Sequence, residues 1–190
     1  MSYGTIKSSE GVDLSTDGLK QIQVGQCVEG NTITSLEMAE DQNGNVNEKR
    51  AVLTITQSNG AKFSHSFFDS EEAWGQDQVK KELLHICTKI VTKAEYEVII
   101  AGSSSFFQFI TAIKNSIIPL AEGKLFNMKI VYKKNNSNGK WYHSFPKFPS
   151  FVELAGTTPS TLTTNPIYDF YTQPLPTEMP ATPAPSADVF

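Results

Sequence analysis

The sequence predicts a mainly β fold with one or two inserted helices, followed by a disordered C-terminal tail. Apolar and β-branched residues alternate with polar ones along several segments, the apolar period lengthens to three or four residues between residues 71 and 118, and proline becomes frequent after residue 155. A chain of 190 residues has room for one domain of ordinary size but not for two. We therefore expect a flexible leader at 1–19, one domain at 20–155 and a tail at 156–190.

The first half of the domain is predicted to form three strands. Residues 20–38 carry β-branched side chains at near-alternate positions, interrupted by two glycines, which suits a long strand that is bent or bulged. Residues 50–57 and 61–68 also alternate, and the Asn59-Gly60 pair between them is a strong hairpin signal. These segments predict a long first strand and a hairpin formed by the second and third.

The middle of the chain is predicted to be helical. Apolar residues at three-and-four spacing predict an amphipathic helix at about 71–92 and a second, shorter helix at about 104–118. The apolar segment 96–102 between them is compatible with a strand or a buried link.

A second hairpin closes the predicted domain. Residues 124–134 and 140–154 are β-like and are joined by the Asn/Gly-rich loop 135–139. Five strands with helices between the third and fourth is the order of the OB-fold, a small, partly open Greek-key barrel. An α+β sheet with its helices on one face is the competing architecture.

The closing hairpin carries a basic and aromatic pattern that the net charge of −4 conceals. Residues 124–147 include six lysines and five aromatic residues but no acid. We expect Lys134 to pair with Lys140 across the loop, which puts Lys133 opposite Trp141. Phosphates attract cations and unpaired bases stack on flat rings, so the pattern favours single-stranded nucleic acid as ligand. The candidate contacts are Lys129, Lys133, Lys140, Trp141, His143, Phe145 and Lys147. The alternative is an ordinary edge strand protected by lysines.

The first hairpin offers a second set of candidate contacts. A two-residue turn would pair Ser58 with Ala61 and would place alternate residues of both strands on one face. The candidates on that face are Arg50, Phe63, His65 and Phe67. They form an exposed platform if the opposite face is the buried one, and they are core residues otherwise.

Several classes of protein and site are not indicated. Two cysteines do not make a disulfide-rich scaffold or a standard zinc finger, and no P-loop, dinucleotide-binding, zinc-protease or EF-hand motif occurs. We therefore expect no enzyme activity, metal or cofactor. No secretion signal or membrane-spanning run is evident, so we expect a soluble, cytoplasmic protein.

The predicted tail differs sharply from the domain in composition. Its 35 residues include seven prolines and ten Ser or Thr but no Lys or Arg, and an aromatic cluster, Tyr168, Phe170 and Tyr171, lies within it. Such a segment buries too little apolar surface to offset its chain entropy. We therefore expect disorder throughout.

With this strand order, basic-aromatic hairpin and tail, the chain resembles phage-encoded single-stranded DNA-binding proteins of the OB-fold type. The resemblance covers about residues 20–155 in pattern and the tail in design. It implies coating of single-stranded DNA without strong sequence preference during phage replication, recombination or repair, in the bacterial cytoplasm and without catalysis. It also implies that Asp188 and Phe190 dock on replication or recombination proteins, although only one acid precedes the end here. The alternative is a phage structural or host-interaction protein with a β-rich protein-binding domain.

Overall fold

The structure is a computed structural model that describes residues 20–136, 138–147 and 150–172. The strands are β1 (Gly25–Glu40), β2 (Val46–Thr56), β3 (Lys62–Phe68), β4 (Phe126–Lys134), β5 (Trp141–Ser144) and β6 (Val152–Leu154). The helices are α1 (Ala73–Cys87), α2 (Lys93–Ile100) and α3 (Phe106–Ser116), followed by a 3-10 turn at Ile118–Ala121. The mainly β fold with inserted helices is confirmed.

The strands form one antiparallel sheet in the order β3-β2-β1-β4-β5, and β6 also pairs with β4. The long strand β1 bends, so that its first half pairs with β4 and its second half with β2. Gly30 lies at an irregularity in the β1–β4 ladder with a positive φ of 70°, a conformation that glycine adopts at little cost. The predicted long, bulged first strand is thereby confirmed.

The two edge strands of this sheet, β3 and β5, approach each other through side chains. The rings of Phe63 and Phe145 meet edge to face, with centroids 5.3 Å apart. No ladder joins β3 to β5 within the described residues, so the sheet is not closed into a barrel.

The sequence-based interpretation missed one helix. Segment 96–102, expected to be a strand or a link, lies mostly in α2. Thr92 caps this helix, because its hydroxyl accepts the backbone N–H of Glu95 while the Glu95 carboxylate accepts the N–H of Thr92. This capping box stabilises an apolar run that is too short to show its helical period. The helices expected at about 71–92 and 104–118 are confirmed as the shorter α1 and α3.

The core lies between the sheet and the helices. Helix α3 packs against β1 and β2, helix α1 packs against β6, and the buried side chains of β3 belong to the same core. Its members include Leu53, Ile55, Phe63, Phe67, Leu83, Ile86, Ile110, Ile113, Phe126, Met128 and Ile130. Within the described residues, no helix has both the length and the apolar character needed to cross a bilayer.

A neutral histidine connects α1 to β6. The backbone N–H groups of Phe151 and Val152 donate to Nε2 of His85 over 3.2 and 3.4 Å. Burial lowers the pKa of His85 to about 4, with a smaller contribution from the charge of Lys89. At neutral pH the ring is therefore uncharged and Nε2 is free to accept these bonds.

Residues 156–172, which we call the strap, are packed against β4, although the sequence predicts that the disordered tail begins at residue 156. Leu162 and Asp169 are buried in the strap, and the N–H of Tyr132 donates to the carbonyl of Phe170 over 2.7 Å. Disorder beginning at residue 156 is therefore wrong for this part of the chain. Composition could not show the contacts with β4 that hold it. The leader at 1–19 and residues 173–190, with Asp188 and Phe190, lie outside the described residues.

Candidate nucleic-acid interface

The β2–β3 hairpin has a register one residue away from the predicted one. Gln57, not Ser58, pairs with Ala61: the Gln57 N–H donates to the Ala61 carbonyl over 2.8 Å. The loop therefore has three residues and ends at Gly60, whose φ is 80°. A slip of one residue moves the side chains of one strand to the other face, so the predicted sharing of faces is wrong.

This register buries the aromatic residues expected on the exposed platform. Phe63 pairs with Ile55 and Phe67 with Ala51, and both rings are fully enclosed in the core. The ring of His65 is packed between Phe67 and Phe145 and lies 3.2 Å from the Glu82 carboxylate. The exposure expected of Phe63 and Phe67 is therefore wrong, and they are the core residues that the sequence allowed as the alternative; His65 belongs to this enclosed cluster.

Arg50 does remain exposed, and the exposed ring of Phe68 lies beside it. It pairs with Phe68 across the ladder, and its guanidinium carbon lies 5.6 Å from the centre of that ring. The guanidinium also donates to the Ser66 hydroxyl. The outer surface of β2 and β3 thus includes the cations Arg50 and Lys62 and the exposed ring of Phe68.

The β4–β5 hairpin also differs from its predicted register by one residue. Asn135 pairs with Lys140, so Lys134 lies opposite Trp141 and Lys133 lies opposite Tyr142. The predicted pairing of Lys133 with Trp141 is wrong because the loop is one residue shorter than expected. The two residues consequently lie on opposite faces of the hairpin.

Two of the predicted contacts on this hairpin are buried. Phe145 is stacked on Phe151 with ring centres 4.6 Å apart, and it also meets Phe63. Lys129 is buried on β4, where its ammonium lies 2.7 Å from the Asp169 carboxylate. Their expected exposure is wrong, since the strap and the core cover them.

The remaining rings of the hairpin form a group that we call the aromatic face: Tyr132, Trp141, His143 and Phe170. Tyr132 lies between His143 of β5 and Phe170 of the strap, and is paired with each. The rings of Tyr132 and His143 are 5.0 Å apart, and those of Trp141 and Phe170 are 5.7 Å apart in an edge-to-face contact. All four side chains keep part of their surface in solvent. They are therefore both packed and accessible.

Lysines surround the aromatic face. Lys134 shares a ladder pair with Trp141, and Lys140 precedes it at the end of the loop. Lys147 follows β5, and its ammonium lies 5.7 Å from the ring centre of Tyr168 in the strap. Each of these three side chains is exposed, as is Lys133 on the opposite face. The surface is consequently positive, and no Asp or Glu occurs in residues 123–152.

Two titratable groups here are shifted by their surroundings. Burial lowers the pKa of His143, so its ring is neutral at pH 7 and presents an uncharged surface to a ligand. Burial raises the pKa of the Glu82 carboxyl, but interactions with His65 and a hydrogen bond from Gln78 act against it, and the pKa is lowered overall. The Lys133 charge acts in the same direction. Lys133 thus interacts with α1 as well as with solvent.

The sequence-based interpretation missed several residues of this surface. The predicted pairing of Lys133 with Trp141 puts Lys134 and Tyr132 on the other face of the hairpin, and the predicted tail contains Tyr168 and Phe170. The one available signal was the aromatic cluster at 168–171, which is unusual in a segment rich in Pro and Thr.

The described residues include no group of three or more His, Cys, Asp or Glu placed to hold a metal ion. No protein-family model matches the chain, and no curated protein matches its sequence.

Proposed function

We propose that this protein binds single-stranded DNA through the aromatic face and its surrounding lysines. The observation that carries the proposal is that the partly exposed ring of Trp141 contacts Phe170 and that Lys134 is paired with Trp141 across the hairpin. Unpaired bases stack on such rings for about 1–3 kcal/mol each, and every base has a stacking face. Lysines beside the rings attract the phosphates of any sequence. Binding without strong sequence preference follows.

The connectivity supports an OB-fold plan for the domain. In that plan five strands form a partly open barrel and ligands bind near the second and third strands and the loops beside them. Here the helices separate β3 from β4, β1 pairs with both β2 and β4, and the edges β3 and β5 meet through the Phe63–Phe145 contact. The loop between β4 and β5 lies next to the aromatic face, as this plan requires of a binding loop.

The setting we propose follows from the resemblance to phage single-strand binders. The protein coats single-stranded DNA during phage replication, recombination or repair, without a cofactor and without catalysis. Replication or recombination proteins are its further proposed partners through Asp188 and Phe190.

The test is fluorescence anisotropy of a labelled oligo-dT strand titrated with the full chain at two salt concentrations, with duplex DNA as control. We expect the single strand to bind more tightly than the duplex, and its affinity to fall as salt rises because bound lysines release counterions. No binding at low salt would reject the proposal.

The two tryptophans allow the contact to be located. Trp74 on α1 is 74% exposed and lies outside the aromatic face. In a Trp74→Phe protein, fluorescence reports Trp141 alone, and oligo-dT should quench it. In the matched Trp141→Phe protein, Trp74 should be quenched much less. Equal quenching of both would place the DNA elsewhere.

A second candidate function is protein binding by a phage structural or host-interaction protein. Exposed apolar side chains at the α2 and 3-10 helices favour it: Val98 is 77% exposed and Leu120 53%. They line an open groove with Val91 and Ile99. An apolar protein contact responds little to salt, whereas phosphate binding responds steeply, so the salt series separates the two functions.

A further inference from the structure

The strap covers the face of β4 opposite the aromatic face. It buries Leu162 beside a strand whose Lys129 and Val131 are also buried. Glu153 of β6 holds the beginning of the strap by accepting the backbone N–H and the hydroxyl of Thr161 and the hydroxyl of Ser160. The strap is therefore fixed at its start by a buried carboxylate.

A buried ion pair fixes the end of the strap. The Lys129 ammonium lies 2.7 Å from Asp169, and both side chains are almost completely enclosed. The same ammonium donates to the carbonyl of Thr163, and Asp169 also accepts the N–H of Asn165 over 2.7 Å. Each charge thus has several polar partners, as buried charges require.

This ion pair lies one residue from a ring of the aromatic face. Directly after Asp169, the carbonyl of Phe170 accepts the N–H of Tyr132, and the Phe170 ring meets Trp141 edge to face. The backbone of Phe170 is therefore held on β4 while 42% of the residue's surface remains exposed. A ring held in this way loses little conformational freedom when a base stacks on it.

We propose that Phe170 is a base-stacking residue of the interface and that Lys129 and Asp169 are its positioning residues. This inference rests on the proposed binding of single-stranded DNA and adds the buried ion pair, as the support of one of its rings, to the site. The buried ion pair then positions a binding residue in addition to stabilising the domain.

The first test compares substitutions along the strap in the full chain, with oligo-dT as the probe. Phe170→Ala should lower the affinity about tenfold, within the range measured for loss of one stacking ring. Phe170→Leu keeps an apolar side chain but no flat ring, and should lose nearly as much. Ile167→Ala is the matched control, because Ile167 is 70% exposed on the same strap. It should bind as the unmodified protein does.

The second test asks whether removal of the negative charge at Asp169 strengthens or weakens DNA binding. Removal of a negative charge by Asp169→Asn should tighten DNA binding if Asp169 only repels phosphates. If it positions Phe170, the same substitution should weaken binding. Amide exchange at Tyr132 reports the position directly, since its N–H donates to Phe170. Exchange should accelerate in the Asp169→Asn variant, with circular dichroism checking that the domain stays folded.

The outcomes separate this inference from the proposed function. If the unmodified chain does not bind oligo-dT, both are overturned. If it binds but Phe170→Ala and Phe170→Leu bind equally well or more tightly, the strap is only a cover and the inference alone is overturned. If Asp169→Asn does not fold, the two Phe170 variants still decide whether the ring stacks on bases.

Discussion

The β2–β3 and β4–β5 hairpins start from similar sequences and end in opposite environments. Both alternate aromatic residues with polar or basic ones, and both have loops one residue away from the predicted length. In β2–β3 the rings of Phe63 and Phe67 point into the core. In β4–β5 Trp141 and His143 stay partly in solvent among exposed lysines.

The difference comes from what covers each hairpin. Helix α3 lies against β1 and β2, and Phe63 and Phe67 belong to the core formed there, so these rings exclude water and stabilise it. The tip of β4–β5 extends past the core and is met by the strap, which contacts its rings without covering them. A basic and aromatic pattern in a strand can therefore form a binding surface only where no other element of the fold buries its rings.

The greatest loss of stability should come from a substitution in the β2–β3 hairpin, whose rings are buried. Phe63→Ala removes a fully buried ring, and large-to-small changes of this kind cost about 3–5 kcal/mol of stability. Urea unfolding followed by circular dichroism measures this loss. Unchanged stability together with a loss of DNA affinity would show that Phe63 acts as a surface residue and not as a core residue.

The Trp141→Ala variant should lower DNA affinity and should cost less stability than Phe63→Ala. Part of the Trp141 ring is exposed, so the unfolding free energy should fall by about 1 kcal/mol, less than for Phe63→Ala. Oligo-dT affinity should fall by about 1–3 kcal/mol, as expected for one lost stacking ring. The same anisotropy and urea experiments measure both quantities. A large stability loss would show that this ring is core after all.

The junction between α1 and β6 should make stability depend on pH. Because the pKa of His85 is about 4 in the folded protein and about 6.5 when unfolded, protons bind preferentially to the unfolded chain between these values. Stability should therefore fall as pH decreases from 7 to 5. We expect roughly 1 kcal/mol, after allowing for solvent screening of a partly exposed ring.

Urea titrations of the unmodified protein and of His85→Gln isolate this effect. The variant should show a flatter pH profile over that interval. Burial also lowers the pKa of His143, so some dependence of the same sign should remain. Identical profiles would mean that His85 does not titrate as its surroundings indicate.

The smallest effects should come from single lysines. Lys134→Gln should lower oligo-dT affinity two- to threefold and reduce the salt slope by about 0.7, the value for one phosphate contact on a single strand. Lys93→Gln on α2 is the control, since Lys93 is equally exposed but pairs with Glu97 on the helix surface. Equal slopes in the two variants would argue against local phosphate contact at β4–β5.

The Arg50→Gln variant tests whether DNA also contacts the β2–β3 hairpin. If DNA reaches the outer surface of β2 and β3, this variant should lose affinity about as much as Lys134→Gln. If the aromatic face acts alone, it should bind like the control. The salt series in anisotropy distinguishes these results.

Turn chemistry and periodicity identified most of the fold, because both act between residues that are near in the chain. The Asn59-Gly60 hairpin, the two longer helices and the bulged first strand were all predictable in this way. The short helix α2 was not, since its eight residues hold one buried side chain, Tyr96, and too few turns to show a period.

The concentration of aromatic rings and lysines in residues 124–147, and the two hairpins that flank a helical segment, can be read from the amino-acid sequence. Which of these rings are core and which are surface depends on how the strands and helices pack together. A single residue of loop length reverses the faces of a strand, and no local rule fixes that length. The strap depends likewise on the pairing of Lys129 with Asp169, forty residues apart, which lowers the cost of burying either charge.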